Sequence, residues 1–504
     1  MEQIIAGFYL FIQPSVLLST LFGVLLGIIM GSIPGLTATM AIALIIPMTF
    51  FLSPVVSIGM LVGAYKGGCY GGSIPAILIN TPGTPAAAAT VLDGYPMARQ
   101  GKAVKALKMA LYASVIADTF SDIVLIVISP PLALIALKMG PPEMASLIIF
   151  SLLIITLVAG KSMIKGLISG ALGLIVGTVG LDPILAARRL TFGIYELDEG
   201  VALIPMLIGL FAVSEFFVHA AQKITIKKLT LYENSNNPDD NRVTASEMKS
   251  SLKTIGLASV IGTFLGATPG IGPSVSAYVS YGQAKRISKN PDRFGNGAIE
   301  GVAAAEAGNS AVSGSNLIPL LTLGIPGDLT AAVLVGAFMI QGLHPGPLRF
   351  KEHIDIIYAI FMCLLFGNLC NFLVGSQYLK LASKVANIPK SIIFPAILVL
   401  CVVGSFATNQ SSFDMWIMLF FGILGFIMRR YDFPLAPLLI AFILEPMLEA
   451  SFRQSLLISA GSWKIFLDHP ISLVVLIIAV VFLFLIIKNT RQQKNKKLYD
   501  DVND

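Results

Sequence analysis

The sequence predicts an all-α polytopic membrane protein made of two inverted-topology repeats that contain broken helices or re-entrant hairpins. Three observations carry this reading. The 504 residues are 55% hydrophobic and only 12% charged, against roughly 25% charged in an ordinary soluble domain, and mean hydropathy is +0.83. One unusual motif set occurs twice, as GSIPG (31–35) with GSIPAILINTPGTPAAA (72–88), and as GATPG (266–270) with SNLIPLLTLGIPGDLTAA (315–332). Basic residues then fall unequally on the loops that follow equivalent motifs.

Apolar stretches near the length needed to span, about 17 to 25 residues, run over roughly 14–33, 110–128, 144–160, 163–181, 201–221, 253–266, 354–375, 391–407, 413–428, 434–450 and 470–487. With shorter apolar pieces around the Pro-Gly motifs, they predict about ten to twelve crossings or half-crossings. Residues 1–18 carry no basic n-region and no small-residue cleavage site, so they read as an interfacial lead-in to the first span and not as a removed signal peptide. The first membrane repeat is expected over 14–221, a polar cytoplasmic linker over 222–250, the second repeat over 251–450, a C-terminal transmembrane helix over 470–487 and a basic cytoplasmic tail over 488–504.

The repeats keep register. Pro34 and Pro269 are 235 residues apart, while Pro75 and Pro319, like Pro82 and Pro326, are 244 apart. Loop charge separates inverted from parallel repeats. The stretch 96–108 carries Arg99, Lys102, Lys105 and Lys108 with no acid, whereas its counterpart 342–355 sets Arg349 and Lys351 against Glu352 and Asp355. The other loop has the opposite bias: 284–295 carries Lys285, Arg286, Lys289 and Arg293 against Asp292, and its counterpart 50–57 has no charge. Under the positive-inside rule, equivalent loops then lie on opposite sides, and the tail KNTRQQKNKK places the C-terminus in the cytoplasm.

Proline lacks an N–H and glycine accepts almost any backbone angle, so Pro-Gly inside an apolar segment ends one helix and lets another begin. Irregular backbone at membrane depth persists only where protein or a water-filled cavity satisfies its polar groups. Four such breaks at repeat-related places therefore predict a built cavity: Pro34-Gly35, Pro82-Gly83, Pro269-Gly270 and Pro326-Gly327. Helix N-termini after the breaks suit an anion, and carbonyls freed before them suit a sodium ion. Hydroxyl and amide side chains flank them, chiefly Thr37, Ser73, Asn80, Thr81, Thr268, Asn309 and Asn316. Taken singly, each reads first as a helix cap or a small residue at a close helix contact, whereas the duplicated cluster as a whole reads as a site.

Three ionisable groups stand inside or beside the same segments, and two more, Asp118 and Asp122, lie outside the Pro-Gly set. Lys66, among the glycines of GAYKGGCYGGS, either meets a substrate carboxylate or pairs with an internal acid. Asp328, directly after Pro326-Gly327, either caps a helix or binds a coupling cation, and Glu306 has the same two readings. Asp118 and Asp122, four apart, share a helix face, as a polar contact within the bundle or a proton relay. Cys69, Cys363, Cys370 and Cys401 show no metal or redox spacing and read as packing thiols. The glycine runs lack the GxxxxGK[ST] pattern of a phosphate loop, the four histidines are isolated, and no nucleophile, base and orienter cluster stands out. An enzyme is therefore not expected, and no cofactor. The net charge of +6 sits in loops and reports orientation, with no nucleic-acid partner implied.

Taken together, GSIPGLTATMAIALIIPMTF (31–50), GGCYGGSIPAILINTPGTPAAAATVLDGYPMARQGKAVKAL (67–107) and EGVAAAEAGNSAVSGSNLIPLLTLGIPGDLTAAVLVGAF (300–338) resemble the large membrane subunit of the tripartite tricarboxylate transporter family, over roughly 14–450. The resemblance implies a bacterial inner-membrane permease working with a small four-helix membrane subunit and a periplasmic solute-binding protein. It implies uptake of an organic carboxylate, driven by a Na+ or H+ gradient without ATP. In related transporters a mobile transport domain carries the site past a fixed scaffold. A channel or a membrane-embedded enzyme remain the alternatives from other classes.

Overall fold

The computed structural model describes residues 2–160, 162–221, 237–347, 352–385 and 390–503. Most of the polar linker (222–236) and the loop charges Arg349 and Lys351 lie outside the described residues. Among the described residues the chain is almost wholly helical, with one two-residue hairpin. Eight helices among the described residues are long and apolar enough to cross a membrane: Pro14–Ser32, Ala103–Ala136, Pro141–Val158, Leu203–Ala221, Ile354–Leu379, Ser412–Arg430, Leu435–Ile458 and Pro470–Lys488. Shorter apolar helices include Ala38–Thr49 and Leu329–Ile340, which follow two of the Pro-Gly breaks.

Packing divides the chain into two compact units. The first, Met1–Leu134 with Val201–Tyr431, holds both motif sets. Its opening helix, α1 (Glu2–Phe11), is followed by α2 (Pro14–Ser32), α3 (Ala38–Thr49), α4 (Pro54–Gly71), the short α5 (Ser73–Ile79), α6 (Ala88–Arg99) and the long α7 (Ala103–Ala136). After the excursion through the second unit described below (α8 and α9), the chain returns as α10 (Leu203–Ile208) and α11 (Ser214–Ala221), joined by a π-helical turn, Gly209–Val213. The second motif set then repeats the first series: α12 (Ala245–Gly266), α13 (Gly272–Ile287), α14 (Ile299–Ser315), the short α15 (Leu317–Leu323), α16 (Leu329–Ile340) and the long α17 (Ile354–Val385). Helices α18 (Lys390–Asn409) and α19 (Ser412–Arg430) complete the unit.

The repeat is visible in the backbone. Helix α5 ends with Asn80 in the left-handed region (φ 55°) and α15 ends with Gly324 there (φ 76°). The following residue in each case folds back on the helix: Thr81 N–H donates to Pro75 O at 3.3 Å, and Ile325 N–H to Pro319 O at 3.2 Å. Both pairs are 244 residues apart, the sequence offset of the second motif. The first breaks also match, with Gly35 at φ 94° and Gly270 at φ 88°. Before Pro34, Ile33 is extended (φ −93°, ψ 119°), the conformation that a following proline imposes.

Helices α2 and α4 pack together, as do α12 and α14. Small residues make this close: a Cβ on Gly27 would lie 2.8 Å from Gly68 N, the small-residue mode of helix association in membranes.

The second unit comprises Ile135–Gly200 and Asp432–Asp504. It holds α8 (Pro141–Val158), α9 (Met163–Gly177), α20 (Leu435–Ile458), α21 (Ile465–Asp468) and α22 (Pro470–Asn503). Between α9 and Leu203, strands β1 (Gly180–Leu181) and β2 (Arg188–Arg189) pair antiparallel, Gly180 opposite Arg189. Asp182, in the turn between them, receives Arg453 of α20 at 2.9 Å, and Arg453 in turn holds Glu449 at 2.8 Å.

Candidate functional site

The helices that follow the breaks pack reciprocally between the repeats. In the first unit, α3 of the first repeat lies against α16 of the second, α6 of the first against α13 of the second, and α4 against α14.

One junction is at the first turns of α3 and α16, where Thr39 Oγ1 and Thr330 Oγ1 hydrogen-bond at 2.8 Å, both buried. Each of these helices is capped from within its own break. Thr37 accepts from Met40 N–H at 3.2 Å, and Asp328 accepts from Ala331 N–H at 2.7 Å. Of the two readings of Asp328, helix capping is the one seen. The same economy holds at the glycines: Gly83 N–H donates to Gly72 O at 3.0 Å and Gly270 N–H to Gly327 O at 2.7 Å. These four break donors are therefore satisfied internally in this conformation.

Behind the breaks lies a buried polar layer. Glu306 on α14 accepts from Ser73 Oγ at 2.5 Å and from Thr90 Oγ1, joining α5 and α6 of one repeat to α14 of the other. Its Oε2 is buried without a hydrogen-bond partner. Asn316, at the α14–α15 joint, donates to Tyr65 OH at 2.8 Å and leaves its Oδ1 unpaired. Asn309 Nδ2 is likewise buried and unpaired. Glu306, Asn309 and Asn316 are at most 2% exposed, so the unpaired atoms lie among protein groups.

The remaining predicted residues range from buried to exposed. Asn80 and Thr81 are exposed and Pro82 is half-buried, while Pro34 is buried. Gly35, Thr37, Thr268, Pro269 and Gly270 are half-buried, whereas Gly83, Pro326 and Gly327 are buried. Thr81 and Thr268 turn their hydroxyls onto the carbonyls of Ile79 (3.3 Å) and Phe264 (3.1 Å). The first repeat thus presents an accessible break at 80–82, and the second repeat's equivalent is sealed.

Lys66 faces acids. Its Nζ lies 2.5 Å from Asp118 Oδ1, 2.8 and 2.9 Å from the two oxygens of Asp122, and 3.2 Å from Ser313 Oγ, with no exposure. Asn368 of α17 donates to Asp122 Oδ2 at 2.7 Å. The i, i+4 spacing of Asp118 and Asp122 placed both on one face, and of the two readings of Lys66 pairing with an internal acid is the one seen; which acids it meets was not read from the sequence.

Two groups escaped sequence reasoning. Asp93, in the DGYPMA stretch, accepts N–H bonds from Gly295, Gly297 and Ala298, each at 2.8 Å, and the Tyr281 hydroxyl at 2.9 Å. It fixes the loop that enters α14. A lone acid flanked by apolar residues was the signal available. Glu215 of α11 binds Arg429 of α19, and a Cβ on Gly35 would lie 2.7 Å from His219 Nε2 and 3.7 Å from Glu215 Oε1, so side chains of α11 wall the first break.

Comparison with known proteins gives a coherent result. The sequence profile described as the tripartite tricarboxylate transporter TctA family matches residues 17–440. A protein of Agrobacterium vitis, described as an uncharacterized 52.8 kDa protein in TAR-I ttuC' 3'region, is 37% identical over 465 residues, 92% of this chain and 91% of that relative. A second from the same organism, described as an uncharacterized protein in TAR-II ttuC' 3'region, is 36% identical over 241 residues, 48% of this chain and all of the relative. No solved structure matches this chain.

Proposed function

Because this chain belongs to the tripartite tricarboxylate transporter TctA family, and so is a multi-pass membrane subunit of a tricarboxylate transporter, we propose that it is the permease of a binding-protein-dependent secondary transporter for organic carboxylates, coupled to Na+ or H+. The observation that carries the mechanistic part is the meeting of Thr39 and Thr330 at the first turns of two helices that begin after breaks in different repeats. Two positive helix ends converging on hydroxyl side chains favour a carboxylate. Sliding of the repeats past one another would open and close that junction. Asn80 and Thr81, exposed at the first repeat's break, offer polar groups by which an incoming carboxylate is received.

In this reading the chain sits in the bacterial inner membrane with its C-terminus in the cytoplasm. A small four-helix membrane subunit accompanies it, and a periplasmic solute-binding protein delivers substrate. The loop charges support inverted repeats. The test is uptake of a tricarboxylate by proteoliposomes holding all three proteins. Uptake should saturate with substrate and collapse when the Na+ and H+ gradients are both dissipated with ATP present. Uptake sustained by ATP alone, or linear in substrate without saturation, would reject secondary transport, the latter in favour of a channel.

A further inference from the structure

The buried cluster around Lys66 has a charge balance that does not close. Asp118 and Asp122 on α7 and Lys66 on α4 are 1% exposed or less. Two carboxylates against one ammonium leave one negative charge when all three are ionised. The groups that meet the charges are neutral, Ser313 on α14 and Asn368 on α17, and so are those beside them, Thr119 against Asn368 and Asn371 against the Lys66 main-chain carbonyl. An uncompensated charge in a water-poor interior is strongly unfavourable, and the remedy is a proton or a bound counter-ion.

The unsatisfied atoms distinguish between those two. Asp118 Oδ2, Asn368 Oδ1 and Asn371 Oδ1 are each buried without a hydrogen-bond partner, and each residue is at most 2% exposed. All three are acceptor oxygens. The amide of Asn368 is oriented by Asp122, which takes its N–H at 2.7 Å, so exchanging its oxygen and nitrogen would set oxygen against carboxylate. A proton would satisfy one of the three oxygens. A small hard cation can draw on several, together with the Ser313 hydroxyl oxygen.

We propose that Asp118, Asp122, Ser313 and Asn368 form a sodium site beside the Lys66 ammonium, distinct from the Pro-Gly breaks, and that its occupation neutralises the cluster. This rests on the reading of the chain as an ion-coupled transporter. The cluster ties α4 to α7 of the first repeat and to α14 and α17 of the second, so an ion held there bears on how the repeats pack.

The experiment is binding of radiolabelled sodium to the purified full-length chain in lipid nanodiscs, at constant ionic strength set with choline. It needs neither substrate nor partner proteins, so it can succeed or fail independently of carboxylate uptake. Saturable binding is expected in the wild type and in Glu199→Gln, which removes an exposed carboxylate. Asp118→Asn and Asp122→Asn should each weaken it at least tenfold. Wild-type sodium affinity in either Asp variant, or no saturable binding in the wild type, overturns the proposal. If neither Asp variant inserts, Asn368→Ala decides at unchanged net charge: affinity at least tenfold weaker supports the site, and unchanged affinity overturns it.

Discussion

Gly327 shows how little room a broken helix leaves. A Cβ there would lie 2.7 Å from Asn316 Cβ and 3.0 Å from Asn316 Cα, the joint between α14 and α15. At Gly83 the equivalent atom would lie 2.9 Å from Gly72 Cα. The obstacles are backbone and Cβ atoms, which cannot rotate aside, so even one methyl must move a helix end. Gly327→Ala is expected to lower the maximal uptake rate at least tenfold while membrane insertion, followed by a fluorescent fusion, stays within about twofold of wild type. Wild-type uptake by an inserted Gly327→Val would remove the break from the mechanism. At this scale the sequence was informative about residue type and poor about partners. Pro-Gly chemistry is local and was readable. Lys66 meets groups 52, 56 and 247 positions away, a pairing that only the packing of α4 against α7 and α14 creates. Asp93 escaped for the same reason, since its partners lie near residue 295.

The elements show where proline rules hold and where they do not. Helix α7 runs through Pro130 and Pro131, α3 through Pro47 and α20 through Pro446. Proline alone is tolerated in such helices, because neighbouring groups satisfy the freed carbonyls. At the first breaks the glycine beside the proline has a positive φ, Gly35 and Gly270, whereas at the second breaks the left-handed residue is Asn80 or Gly324, two positions before the proline. Helix ends at the breaks were therefore legible, whereas the π-helical turn at Gly209–Val213 was not, since no residue there demands it. In the second unit, the turn between β1 and β2 depends on a charge. The Arg453 guanidinium, with the N–H groups of Leu185 and Ile184, holds the Asp182 carboxyl well below the usual carboxylate range. A depressed carboxylate contributes stability that is full above its unfolded value, about 3.9, and is lost as pH falls through the lower folded value. Amide exchange at 182–189 is thus expected to stay slow from neutral pH to below 4. Arg453→Met should raise the pH at which the turn loosens. The same pH dependence in wild type and Arg453→Met would show that the guanidinium is not what holds the turn.

At the scale of the whole molecule, one chain carries two copies of a helical series, and within the first unit these copies exchange their break-following helices. The duplication could be read from spacing alone. The reciprocal packing of α3 on α16 and of α6 on α13 could not, because no sequence feature states which of four similar helices meet. Inversion of the repeats has its own test. The native cysteines are buried, so an added cysteine reports its own loop. Ser53→Cys, in the uncharged loop, should react with an impermeant maleimide added to spheroplasts. Lys289→Cys, in the equivalent basic loop, should react only after permeabilisation. Both positions are exposed, and equal labelling of the two from outside would make the repeats parallel.

The central claim is that the first turns of α3 and α16 bound the path that substrate takes, and Thr39 and Thr330 allow a direct measurement. Their hydroxyl oxygens are 2.8 Å apart, so a Thr39→Cys, Thr330→Cys pair should form a disulfide under mild oxidant. The account predicts that carboxylate uptake in proteoliposomes then falls to background and returns when the bond is reduced, while each single variant is unaffected by oxidant. A disulfide formed in full with uptake unchanged would contradict it.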